Sequence, residues 1–190
     1  MPKNNLVDSL SERSAPLIDA VLSEIPVVSM AISILKARDD IKDRMFEAKL
    51  QSFIEGLEHQ SSAAIKEMLA EVATPTEATE IGTTLMFVLE TYNGLYKCEL
   101  LGKLFKAFLE GTLPNEMFRR LAMTLTPAFP EDLKKLLSNR STSEYTTDES
   151  YFTYLESSGL TANNGGWDGG TMVITRLGEM LRKTIGEVDT

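Results

Sequence analysis

The sequence predicts a mainly α protein, in which a helical N-terminal domain is followed by a winged-helix-like domain with one small β-hairpin. Three observations predict it. From residue 15 to residue 111 apolar side chains recur at spacings of three and four, with no sustained alternation of the kind a half-buried strand needs. After Gly111 come four short helical patterns, and the last two flank the Gly-rich stretch NNGGWDGG between the strand-like runs LTA and TMVIT. Hydrophobic residues make up 43% and charged residues 25% of the 190, ordinary proportions for a chain that buries a core. The expected organisation is a polar segment at 1–13, a helical domain at 14–112 and a winged-helix-like domain at 113–190.

Taken in order, APLIDAVLSEI reads as a short helix that Pro26 ends or kinks. The next pattern runs VVSMAISILKARDDIKDRMFEAKLQSFIEGL. Within it Ile41, Met45, Leu50, Phe53, Ile54 and Leu57 form one apolar stripe, opposite Lys42, Asp43, Glu47 and Gln51. A helix from about Ser61 to Val72 carries Ile65, Met68, Leu69 and Val72 on its inner face. The long run from Ile81 to Gly111 is expected to bend or break at Asn93-Gly94, a strong interruption. Its start is read from Glu77 and Glu80, which suit a helix N-terminus through the macrodipole, since Thr76 and Thr79 make no capping box.

Beyond Leu113-Pro114, NEMFRRLAMTL and PEDLKKLLS each read as a helix, the second with proline at its first position and acidic residues in its first turn. The polar stretch NRSTSEYTTDES reads as a loop. The pattern SYFTYLESSGL then forms a short helix closing on Gly-Leu, before the hairpin and the last helix, ITRLGEMLRKTI.

Charge decides against the usual use of a winged helix. The helix before the wing normally carries Arg or Lys to phosphates and base edges. Between Asp148 and Thr175 this chain holds Asp148, Glu149, Glu156 and Asp168 and no Lys or Arg at all. Over the whole chain 28 acidic residues face 19 basic ones, a formal charge of -9 that repels nucleic acid and anionic membranes at long range. Arg119, Arg120, Lys134, Lys135, Arg140, Arg176, Arg182 and Lys183 lie on other elements of the same domain, where a phosphate-gripping mode would have to find them.

Enzymatic and metal-binding patterns are wanting. The single cysteine, Cys98, excludes an intrachain disulfide and sits in an amphipathic pattern as a small apolar filler; no local signature joins it to the single histidine, His59. The carboxylate pairs Asp39-Asp40 and Glu131-Asp132 have basic neighbours and read as surface ion pairs. The glycines of NNGGWDGG are not followed by the Lys-Ser or Lys-Thr of a phosphate loop, and no cofactor is expected. The apolar stretch IPVVSMAISIL, at 25–35, spans 11 residues against the ~20 of a transmembrane helix, so a buried helix is expected there. The N-terminus lacks the apolar core and cleavage site of a secretory signal, which points to a cytoplasmic protein.

The candidate contact residues are those of the wing and the helix before it. Trp167, the only tryptophan, stands among Asn164, Asp168 and four glycines, as an interface anchor on an adaptable loop or as a lid folded back on the core. Tyr151 and Tyr154 follow it as candidates.

The segments SEIPVVSMAISILKA and DDIKDRMFEAKLQSFIEGL, with the later LLGKLFKAFLEG, resemble those of uncharacterised helical proteins of bacteria and their mobile elements, over residues 17–125. A further similarity is to abortive-infection-type helical proteins with winged-helix ends. The resemblance implies no catalytic residue. It implies a setting in phage defence, its inhibition or regulation by a mobile element. The expected function is thus non-enzymatic protein recognition, with a protein as partner and self-association left open. A DNA-binding winged-helix regulator and a membrane-acting effector built on 25–35 are the alternatives.

Overall fold

The computed structural model describes residues 41–58, 62–138, 144–145, 150–165 and 171–186. Among them it is mainly α, with eight α-helices and a small sheet near the C-terminus. The helices are α1 (Ile41–Gly56), α2 (Ser62–Val72), α3 (Pro75–Thr91), α4 (Leu95–Leu109), α5 (Asn115–Thr124) and α6 (Pro130–Ser138), then α7 (Ser150–Leu155) and α8 (Arg176–Gly186). Strands β1 (Glu144–Tyr145), β2 (Thr161–Asn163) and β3 (Met172–Ile174) form an antiparallel sheet in the order β1-β3-β2. The hairpin of β2 and β3 followed by a helix is the one the sequence predicts. Strand β1 lies inside the stretch read as a loop, because two residues are too few to show alternation.

Helix α4 is the centre. It is buried on every side but one strip, which carries Tyr96, Glu99, Lys103 and Lys106, so its neighbours enclose the rest. Leu100, Leu101, Leu104, Phe105, Phe108 and Leu109 are buried within it, and α1, α2, α5 and α8 all pack against it. The closest approach is to α1, where Gly56 and Gly102 face each other. A Cβ on Gly102 would stand 2.1 Å from the Phe53 carbonyl oxygen and 2.8 Å from the Gly56 Cα. Beside that crossing Phe53, Phe105, Phe108 and Phe118 form a cluster of rings, some stacked and some tilted, with neighbouring centroids 5.5 to 6.0 Å apart. Phe118 is on α5, so apolar residues from both sides of the expected 112/113 boundary meet in this cluster.

Four contacts fix the helix directions. Ser52 Oγ donates to the Leu95 carbonyl oxygen, and with the glycine crossing this sets α1 parallel to α4. Lys97 Nζ donates to the Thr126 carbonyl oxygen, and with the Phe105–Phe118 pair this sets α5 antiparallel to α4. Arg119 of α5 bridges to Glu80 of α3 at 2.8 Å, and Tyr92 Oη, just past α3, donates to the Ala122 carbonyl oxygen; those helices run the same way.

The break at Asn93-Gly94 falls where the sequence puts it. The start of α3 is Thr74, whose hydroxyl accepts from Glu77 N while the Glu77 carboxylate accepts from Thr74 N, with Pro75 at the first helical position. This is a true capping box, two residues upstream of the pair considered for it, and it holds the Glu77 carboxyl below its usual range. Leu50, Phe53 and Ile54 of α1 and Leu57 just past its end are buried as expected, but Met45 is exposed. The reason is length: Lys49 already lies level with the end of α3, so the turn before it extends past the bundle.

Candidate functional site

The surface the sequence singles out is built by α7 and the hairpin. Helix α7 is short, and a 3-10 turn at Glu156–Ser158 ends on Gly159 in the left-handed conformation, φ 76°. The chain then reverses into β2, pinned by polar bonds. Thr161 Oγ1 donates to the Phe152 carbonyl oxygen at 2.6 Å, and Thr175 Oγ1 donates to that of Gly159 at 2.7 Å. Asn164 N donates to the Thr171 carbonyl oxygen, and Gly165 N donates to Asn163 Oδ1. These bonds close the base of the wing tip. Trp167 and Asp168 lie outside the described residues, as do His59 and the apolar stretch 25–35.

The remaining candidates separate. Tyr154 is 65% exposed and Asn164 is exposed. Tyr151 is only 5% exposed, which corrects its place among the outward contacts. Helix α7 turns Tyr151, Phe152 and Leu155 inward and Thr153 and Tyr154 outward. The Tyr151 ring meets Phe152 edge-on at 4.9 Å, and the Lys135 ammonium stands 5.6 Å from its centre. The outward strip is therefore Thr153, Tyr154, Glu156 and Ser157, continuing into Asn163 and Asn164, all exposed and none basic.

Several cations of this half are engaged away from that strip. Arg182 Nε donates to the Leu136 carbonyl oxygen near the end of α6, at 2.7 Å. Lys134 stands over the Tyr96 ring at 5.0 Å, Arg119 bridges to Glu80, and Arg120 bridges to Glu116. Arg176 and Lys183 are exposed on α8. Helices α6 and α7 are separated by residues 139–149, with β1 inside them, well beyond the 3–4-residue turn of a helix-turn-helix.

No family model, no curated protein and no solved structure matches this chain.

A second polar cluster was not legible in the sequence. Lys97 is 0% exposed on α4, its ammonium bonded to the Thr126 carbonyl oxygen at 2.9 Å and 5.9 Å from the centre of the Tyr92 ring. Burial lowers its pKa, and burial pushes the adjacent Cys98 thiol up to about 11. A thiol so held is protonated at neutral pH and a poor nucleophile. The lysine closes the C-terminal end of α5, as Lys49 closes α3 through the Leu89 and Glu90 carbonyl oxygens. Among the described residues no group of three or more His, Cys, Asp or Glu side chains is placed to hold a metal ion. No helix among them is long and apolar enough to cross a membrane.

Proposed function

We propose that this chain is a non-enzymatic protein-recognition module, using the face of α7 and the wing. The observation that carries the reading is the outward strip from Thr153 to Asn164, an exposed tyrosine in a polar, cation-free surround on a scaffold fixed by side-chain bonds to backbone. An aromatic ring with few rotatable bonds, flanked by adaptable amide groups, suits a protein surface. It does not suit phosphates, which need cations at the contact. Trp167 and Asp168 fall in sequence between β2 and β3, and they are the proposed anchor and its neighbour, together with Asn164. A setting in phage defence or its inhibition is part of the same proposal.

Affinity purification of the tagged chain from its native host tests the reading. A stoichiometric protein partner, free of nucleic acid by absorbance ratio and lost with Trp167→Ala or Tyr154→Ala while the fold persists, is the expected result. Capture unchanged in both variants, or DNA in the eluate, would overturn it. One observation favours a DNA regulator as the second reading, the β1-β3-β2 order with α8 exposing Arg176 and Lys183. That reading requires a gel shift that weakens steeply with salt.

A further inference from the structure

Among the described residues six large apolar side chains are exposed, and five of them gather toward one end of the helical bundle. That end is fixed by contacts already given. Lys49 of α1 binds the last carbonyls of α3, Ser52 binds Leu95 at the start of α4, and Lys97 binds Thr126 past the end of α5. The start of α6 is there too, since a Cβ on Gly94 would lie 3.6 Å from the Pro130 ring. Met45, one turn before Lys49, therefore projects at this end together with Leu95, Met123 and Phe129. Phe87 lies one turn before the end of α3, on the face that carries Glu80 two turns earlier. Their exposures run from 44% to 61%. Tyr154, the sixth, belongs to the α7 face.

We propose that this end of the bundle is the docking site of the chain's own apolar stretch, residues 25–35. The argument is one of tether length. The chain enters α1 at Ile41, at this same end, and only residues 36–40 separate it from the stretch. Five residues reach at most about 17 Å, so the near end of the stretch is held at this end of the bundle. A segment on so short a tether has an effective concentration in the millimolar range, so at micromolar protein it outcompetes a second copy for the same surface. The apolar composition of IPVVSMAISIL matches a surface of Met, Leu and Phe and offers no charge to leave buried. The consequence is a covered end: the stretch shields the bundle, and the bundle keeps the stretch from other apolar surfaces. This inference stands apart from the recognition reading, which uses the α7 face.

The test uses the full chain with Ala31→Cys and follows its reaction with a maleimide reagent, Cys98 serving as an internal reporter because it is buried. Leu95→Asp with Phe129→Asp disrupts the surface. Both positions are at helix N-termini, where a carboxylate is favourable, so the helices are spared. The expected result is labelling of residue 31 at least tenfold slower in the parent than in the Asp variant, independent of protein concentration, with Cys98 unreactive in both. Equal rates overturn the proposal. Protection that is lost on dilution assigns the surface to a second copy, and protection seen only with anionic phospholipid vesicles assigns the stretch to a membrane; either result also overturns it. Should Cys98 react in the Asp variant, Met45→Glu with Met123→Lys replaces it under the same criteria.

Discussion

The crossing of α1 and α4 and the base of the hairpin hold their partners by opposite means. At the crossing two glycines bring backbone against backbone, with four phenylalanine rings alongside; order there comes from filled space. At the hairpin base Thr161 and Thr175 reach across to carbonyl oxygens, and order comes from bonds that fix position without demanding apolar volume. The difference teaches where each region tolerates change. The crossing has no room to vary, whereas the hairpin can vary its outer side chains while its inner bonds hold the frame.

The comparison breaks most severely at Gly102. Gly102→Ala places a methyl group against backbone that cannot give way, and is expected to cost about 3 kcal/mol or more, read from chemical denaturation. A loss below about 1 kcal/mol would mean that the helices separate freely. Alkaline titration probes the same packed side next. The Cys98 thiol, held up at about 11 by burial, keeps its proton in the folded chain while the unfolded chain begins to release it near 9. That contribution is complete below pH 9, is lost as pH rises toward 11, and amounts to about 3 kcal/mol. Tyr96, pushed up to about 12 by burial, acts in the same sense at higher pH, and Lys97, lowered by burial, opposes them. Cys98→Ala should flatten the fall in denaturation midpoint between pH 9 and 11; an unchanged slope would remove the thiol as its cause.

At the hairpin, Thr161→Val keeps the shape but leaves the Phe152 carbonyl oxygen without its donor, an expected loss of about 2 kcal/mol. Amide exchange should locate that loss in β2 and α7; if it spreads evenly to α1 and α4, the contrast between the two regions fails. The smallest effect belongs to Thr74→Ala, about 1 kcal/mol from the lost cap of α3, with Thr74→Ser restoring it.

Much of this architecture is written locally. Proline at 130, Asn93-Gly94 and the paired runs around the Gly-rich wing mark their boundaries with residues whose backbone preferences act in place. Features set by distant partners are not so written. Nothing local marks Lys97 as a buried cation, because the carbonyl it serves lies 29 residues away. Met45 continues an apolar stripe whose partner helix stops short of it. Tyr151 and Tyr154 sit three apart on a helix of six residues, too short for periodicity to say which faces inward. In the candidate surface the absence of cations was legible, while the inward turn of one tyrosine was not.

The cations that close helix ends also set an order of assembly as the chain leaves the ribosome. The lysine that closes α3 is at position 49, already made when Leu89 appears. The one that closes α5 precedes Thr126 by 29 residues. For α6 the sequence is reversed, because Arg182 follows Leu136 by 46 residues. The first helices can therefore be completed during synthesis, whereas α6 waits for the last stretch of the chain, and a transcript cut short before α8 leaves that helix open at its end.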